Sequence, residues 1–264
     1  MPWLSLPETR LYYQASGRGP ALVFAHGAGG NHMSWWQQVP HFSRRYRCVT
    51  FDHRAFGRSH DRQSGPGRRA FADDLRQLLD HLGIEAAAVV AQSMGGRTAV
   101  GFALRNPGRI RALVLAGTTG GAVSDEVRAA QEEHRQTPDG RLGLARRAVS
   151  PRLRRERPDL HYLYRLIGRL NPARPADFLA PIPGYRGSSA QALAALGIPI
   201  LFLAGAEDAI TPPHIVRMAH EQVAGSQFEL IEGAGHSAYF ERAEEFNERT
   251  ARFLEEAGWT AEQA

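Results

Sequence analysis

Ala86-Ala-Ala-Val-Val-Ala-Gln-Ser-Met-Gly-Gly-Arg97 carries a short apolar run straight into a serine with small residues on both sides. An apolar run of this length, left through glycines, predicts a buried strand that turns sharply into a helix. A serine on such a turn is a nucleophile elbow. The motif requires small side chains two places before and after the nucleophile. Here those places hold Ala91 and Gly95. The turn lifts the Ser93 hydroxyl above the strand ends, and the free N–H groups of the helix start face a developing negative charge. A glycine-rich strand–helix connection with an incidental serine has the same local pattern, so the rest of the chain has to decide.

Outward from the elbow, strands and helices alternate. Thr9–Ser16 predicts an edge strand, and Ala21–Ala25 a buried one that ends in His26-Gly-Ala-Gly-Gly-Asn31. A helix is expected around Met33–Phe42, and a strand over Arg47–Asp52 opens into His53-Arg-Ala-Phe-Gly-Arg-Ser59. Phe71, Leu75, Leu78, Leu79 and Leu82 recur at helical spacing before Gly83. After the elbow helix come a strand at Ile110–Ala116, a strand at Ile198–Ala204, a helix near His214–Val223, a strand at Gln227–Ile231 and a helix over Glu241–Glu256. Strands apolar on both faces that alternate with helices predict an α/β fold with a mainly parallel central sheet covered by helices on both sides.

The alternation breaks between Ala122 and Gly187, a stretch rich in arginine and proline without a strand-like run. This predicts a core of residues 1–121 and 188–264 interrupted by a helical insertion over 122–187. The insertion carries 13 Arg against 8 Asp plus Glu, so its excess of positive charge equals the +5 of the whole chain. All basic residues are arginine; the sequence has no lysine.

At 264 residues and 43% hydrophobic composition the chain suits one large domain. Its positive charge raises the question of nucleic-acid or membrane partners. Neither gains support, because there is no zinc-ligand spacing, no aromatic–basic RNA-binding strand and no long basic run. Cys48 is the only cysteine, which excludes an internal disulfide, and residues 1–20 show no apolar segment typical of a signal or anchor. A cytoplasmic protein without a metal or cofactor is the expectation. Nothing in the residues fixes an oligomeric state.

An activated serine needs a base, and the base needs a partner that fixes its tautomer. Asp208 follows the Ile198–Ala204 strand and His236 follows the Gln227–Ile231 strand, so serine, acid and base occur in the order this kind of sheet uses. Asp208 as a helix cap and His236 as an ordinary loop histidine are the bland alternatives. Glu207 is disfavoured as the acid because the strand-end turn points it outward. The loop Gly117-Thr-Thr-Gly-Gly121 offers no carboxylate. An oxyanion hole needs two converging donors. Met94 N–H supplies one, and Ala28 N–H, between Gly27 and Gly29, is the candidate for the other. His26 is expected to hold that loop by hydrogen bonds. The glycines here do not form G-x-G-x-x-G, and without a lysine no P-loop can be completed.

Together these motifs resemble the α/β-hydrolase superfamily, in its capped, lipase- and esterase-like branch: His26-Gly27, Asp52–Ser59, Gln92-Ser-Met-Gly-Gly96, Asp208 before Thr211-Pro212-Pro213, and Gly235-His236 before Glu241. The resemblance covers about the whole chain outside the insertion. It implies a catalytic triad of Ser93, Asp208 and His236, oxyanion donors at Ala28 and Met94, and a cap formed by the insertion. Ala91 and Ala55 depart from glycines usual at those places. Serine as nucleophile argues against the dehalogenases and epoxide hydrolases of this fold.

The expected reaction is hydrolysis of a small carboxylic ester or lactone through an acyl-enzyme. Carbon–carbon hydrolysis of diketo acids and slow-turnover ligand sensing are the alternatives, with a cofactor-free oxygenase or lyase behind them. Trp35, Trp36, Tyr239 and Phe240 flank the catalytic segments as candidates to line a pocket for a partly apolar small molecule. Aromatic residues at such places equally serve core packing.

Overall fold

The computed structural model describes residues 2–7, 9–62, 65–175, 177–180 and 187–260. Eight described strands form one sheet in the order β1-β2-β4-β3-β5-β6-β7-β8. They are β1 (Trp3–Ser5), β2 (Arg10–Ser16), β3 (Ala21–Ala25), β4 (Arg47–Phe51), β5 (Ala87–Gln92), β6 (Ile110–Ala116), β7 (Ile200–Gly205) and β8 (Gln227–Ile231). The first two pairings, β1 with β2 and β2 with β4, are antiparallel, and all others are parallel. The fold is therefore α/β with a mainly parallel sheet. β2 is not the edge: the three-residue strand β1 pairs outside it, a strand too short to announce itself by alternation.

The pleat divides the core. Val23, Val89, Leu113 and Phe202 face one cluster, with Leu75 and Leu78 of α2 (Phe71–His81) and Phe102 of α3 (Met94–Arg105). Phe24, Val90, Val114 and Leu203 face the other, with Phe42 of α1 (Gln38–Phe42) and Phe246 and Phe253 of α12 (Ala243–Glu256). Period-two exposure to two apolar layers explains why these strands read as unbroken hydrophobic runs. The expected helix over Met33–Phe42 is divided. Asn31 and Ser34 form a reciprocal cap that tightens His32–Trp35 into a 3₁₀ turn, and α1 begins only at Gln38.

Beyond β6, Ala122 and Ser188 form an isolated parallel bridge at the two ends of the next segment. Between them lie α4 (Asp125–Gln136), the short α5 (Pro138–Arg141), α6 (Leu144–Arg147) and α7 (Pro151–Glu156), and then α8 (Pro158–Arg169). Within this expected insertion, positions 176 and 181–186 lie outside the described residues. The sheet resumes after α9 (Ala190–Ala194); α10 (Pro213–Glu221) follows β7, and α11 (Ala238–Glu241) precedes α12. No helix among the described residues is long and apolar enough to cross a membrane.

Two described residues other than glycine have positive φ: Ser93 at 52° and Ala55 at 65°. Left-handed backbone costs an L-residue roughly 1–2 kcal/mol. Ala55→Gly is expected to raise the unfolding free energy by about 0.5–1 kcal/mol, because strain relief exceeds the added freedom of the unfolded chain. Urea denaturation of the variant measures this, and an unchanged or lower midpoint would contradict it.

Candidate active site

The nucleophile candidate sits at the end of a buried strand in an unusual conformation. Ser93 has φ 52° and ψ −114°, and α3 starts at the next residue. Crowding dictates this turn. A Cβ at Gly95 would lie 2.2 Å from the Ala25 carbonyl oxygen, and one at Gly27 would lie 3.1 Å from Ser93 Cβ. The serine is thus wedged between the start of its own helix and the loop after β3.

Asp208 and His236 are brought together from two adjacent strand ends. Ala206 N–H donates to the Ile231 carbonyl at 2.9 Å and Glu207 N–H to that of Ala234 at 2.8 Å. These bonds zip the loop after β7 to the loop after β8. Gly205 permits the approach, since a Cβ there would meet the Gly235 carbonyl oxygen at 2.2 Å. As a result Asp208 Oδ2 lies 2.8 Å from His236 Nδ1, with both side chains buried. The other oxygen, Oδ1, accepts the Ile210 and Thr211 N–H groups at 2.7 and 2.9 Å, which fixes the carboxylate plane. Glu207 beside it is exposed.

The elbow is tied to this pair. Gln92 Nε2 donates to the His236 carbonyl at 3.2 Å, and Ser93 N–H donates to the Ala116 carbonyl at 3.0 Å. Gly117, next in the chain, has φ 58°, and a Cβ there would stand 3.2 Å from both Asp208 Oδ2 and His236 Nδ1. Ser93, Asp208 and His236 therefore share one rim of the sheet. On the opposite flank, Ala28 packs against Met94, Phe56 and Phe71, so the two residues expected to supply oxyanion donors are neighbours.

Against this geometry the comparisons with known proteins are specific. The sequence profile of the α/β-hydrolase fold matches residues 20–243. The chain belongs to this family. The α/β-hydrolase is 28% identical to 3-oxoadipate enol-lactonase 2 of Acinetobacter baylyi, over 92% of each chain. Among solved structures it is similar to a thermophilic esterase from Thermogutta terrifontis, with 27% identity, a TM-score of 0.79 and 97% of each chain covered. It is also similar to Est816, described as an N-acyl homoserine lactone degrading enzyme, with 27% identity and a TM-score of 0.77, over 96% of this chain and all of the other.

The four aromatic candidates are placed differently from one another. Trp35 is fully buried, its ring 5.1 Å from Phe24 and 4.7 Å from Tyr239. Tyr239 and Phe240 are buried too, whereas Trp36 is 42% exposed. Trp35 and Trp36 border a groove of about 560 Å³ with Met33, Val39 and Leu170, whose lining includes neither the three rim residues nor Ala28 or Met94. In this α/β-hydrolase Trp35 and Tyr239 thus pack on one another, and both tryptophans line the groove.

Other groups at the site carried little signal in the sequence. Tyr164 of α8 accepts a hydrogen bond from Ser237 Oγ at 3.0 Å and stacks edge-on with Phe240. Its hydroxyl also lies where a Cβ on Gly29 would touch it at 3.5 Å. Only the apolar spacing of Leu160, Leu163, Tyr164 and Ile167 hinted at an inward face on this helix. Glu241 accepts the N–H groups of Ser150 at 3.0 Å and Gly235 at 3.1 Å, linking α7 to the His236 loop. Burial raises its carboxyl above the ordinary range.

Behind the Ala28 loop lies a chain of buried imidazoles. His26 Nδ1 is 2.8 Å from the Gly27 carbonyl, and its Nε2 lies 3.0 Å from His53 N and 3.1 Å from His53 Nδ1. His53 Nε2 in turn is 3.0 Å from Thr98 Oγ1. The carbonyl can only accept, so His26 carries its proton on Nδ1 and accepts at Nε2, and His53 does the same, receiving the Thr98 hydroxyl proton. Burial brings His26 down from 6.5 to about 4 and His53 well below its ordinary value. A folded-state pKa depressed in this way leaves stability complete above the unfolded value near 6.5 and draws it down as the pH falls toward 4. Nitrogen-15 NMR of the imidazoles is expected to show both rings as neutral Nδ1–H tautomers with no titration between pH 8 and 5. Protonation of either ring in that window would contradict the network.

Proposed function

We propose that the chain is a serine hydrolase that cleaves a small ester or lactone through an acyl-enzyme on Ser93. The observation that carries this reading is the Asp208–His236 contact of 2.8 Å on the same rim as a serine with φ 52°. The esterase and lactonase relatives support the bond type.

Asp208 Oδ2 takes the Nδ1 proton of His236 as a hydrogen bond, which leaves Nε2 free to accept from Ser93. Ser93 Oγ forms a bond to the substrate carbonyl carbon while its proton passes to His236. The oxyanion is met by the N–H groups of Met94 and Ala28. Collapse breaks the bond to the alkoxide, which leaves with the His236 proton. Water then repeats the sequence on the acyl-enzyme, so the net change is ester plus water giving acid plus alcohol. In a lactone both products remain one molecule.

The insertion over 122–187 acts in this scheme as a cap over a partly apolar small molecule. Its contacts support the role: Tyr164 to Ser237, Glu241 to Ser150, and Asn31 Nδ2 to the Ile167 carbonyl at 2.8 Å. A cytoplasmic setting belongs to the same proposal and accords with a single, buried cysteine. Ser93→Ala is expected to lower kcat on a short-chain ester by roughly four to six orders of magnitude with KM little changed. Turnover by this variant near the parent rate would overturn the reading.

A further inference from the structure

Among the described residues, three half-buried arginines have only carbonyls as hydrogen-bond partners. Arg174 is half-buried, and its Nη1 and Nη2 donate to the carbonyls of Ala55 at 3.1 Å and Ala28 at 3.4 Å. One face of the guanidinium lies 4.0 Å over the Phe56 ring. Arg68, also half-buried, donates from Nε to the Phe178 carbonyl at 2.7 Å and from Nη2 to that of Ala180. Arg147 donates to the carbonyls of Leu142 at 2.8 Å and Ala209 at 3.2 Å, on the Asp208 side. None of the three forms an ion pair with a carboxylate among the described residues, while Arg54, buried in the same region, has Asp74 at 2.5 Å and Asp61 at 3.3 Å.

This contrast is unusual for buried cations. A charge withdrawn from water is costly unless an opposite charge meets it, and carbonyl dipoles return only part of the cost. Burial accordingly lowers the pKa of each of these three arginines below the ordinary guanidinium value. Arg174 has the most informative position. The carbonyl it holds belongs to Ala28, one residue from Gly27, whose Cα faces Ser93. Phe56, under its guanidinium, packs with Met94 in the same cluster as Ala28. Those carbonyls engage one hydrogen each on Nη1 and Nη2, so three of its five donors, Nε–H among them, remain for an anion.

We infer that Arg174 receives a carboxylate carried by the substrate away from the scissile bond, so that the substrate class is a short monoester or lactone of a dicarboxylic acid. This rests on the reading of Ser93 as the nucleophile. Arg68, on the other side of Phe178, adds to the positive field at the same end of the site. Arg174 is a specificity residue in this account: it selects the substrate and leaves the bond-breaking steps to Ser93, Asp208 and His236.

The test compares monomethyl adipate with methyl hexanoate, two esters of equal acyl length, one with a terminal carboxylate and one without. For the parent protein, kcat/KM is expected to favour monomethyl adipate. Arg174→Met, which keeps an unbranched apolar stem and removes charge and donors, is expected to lower that value by roughly 10- to 100-fold, mainly through KM, and to lower the value for methyl hexanoate by a clearly smaller factor, so that the preference collapses. Arg174→Lys should restore part of the preference. Equal losses on both esters would mean that Arg174 only supports the Ala28 loop and would overturn the inference, as would a parent protein indifferent to the carboxylate. A second measurement is independent of turnover: calorimetric binding of monomethyl adipate to Ser93→Ala protein should weaken by at least about 10-fold when Arg174→Met is added. If that binding loss appears while neither ester is turned over by the parent, the anion site stands and the hydrolase reading fails. If turnover is normal but binding is insensitive to Arg174, the inference fails alone.

Discussion

The backbone at Ser93 is the constraint on which the site depends. A φ of 52° with ψ −114° lies outside the comfortable regions for a residue with a side chain and costs about 1–3 kcal/mol. The cost is met by the surroundings. β5 lies in the middle of the parallel sheet between β3 and β6, and α3 packs its apolar face on that sheet and on α2. The turn between them has no room to relax because the Ala25 carbonyl stands where a side chain on Gly95 would be. The strained turn holds Ser93 at the rim and starts α3 at the very next residue.

Around this fixed serine the partners are arranged by main-chain hydrogen bonds more than by side-chain packing. The zipper between the β7 and β8 loops sets the spacing of Asp208 and His236 before any side chain is considered. The Ala28 loop is held from behind by neutral imidazoles, which bind carbonyl and hydroxyl groups without bringing a charge into the core. From above, Tyr164, Arg174 and the Ser150–Glu241 contact press the arginine-rich segment onto all of these loops. Arg147 and Arg174 of this segment thus reach loops at a site whose Asp208 is already bonded to His236.

Much of this was legible in the residues. Chain order placed Ser93, Asp208 and His236 after β5, β7 and β8, on one side, because a parallel sheet puts the carboxyl ends of its strands together. Ile110–Ala116 and Gln227–Ile231 have the bounds their apolar runs predict. Short elements escaped: β1 has three residues, and the 3₁₀ turn at His32–Trp35 depends on a cap that looks helical in sequence. Tyr164 and Arg174 escaped for another reason. Their roles arise from contacts with loops far away in the chain, 73 residues for Tyr164 with Ser237 and 146 for Arg174 with Ala28, and neither sits in a motif whose spacing encodes such a contact. Trp35 reads in sequence equally as pocket wall or core, and only the structure gives its ring contacts with Phe24 and Tyr239.

The central claim is that the elbow and the Asp208–His236 pair act as one nucleophilic unit. Labelling with a fluorophosphonate, followed by peptide mass spectrometry, tests this most directly. The account predicts a stoichiometric adduct on the peptide bearing Ser93, formed rapidly in the parent protein and slowed by at least about a hundredfold in His236→Gln. An adduct on another residue, or labelling of Ser93 at the same rate without His236, would contradict it.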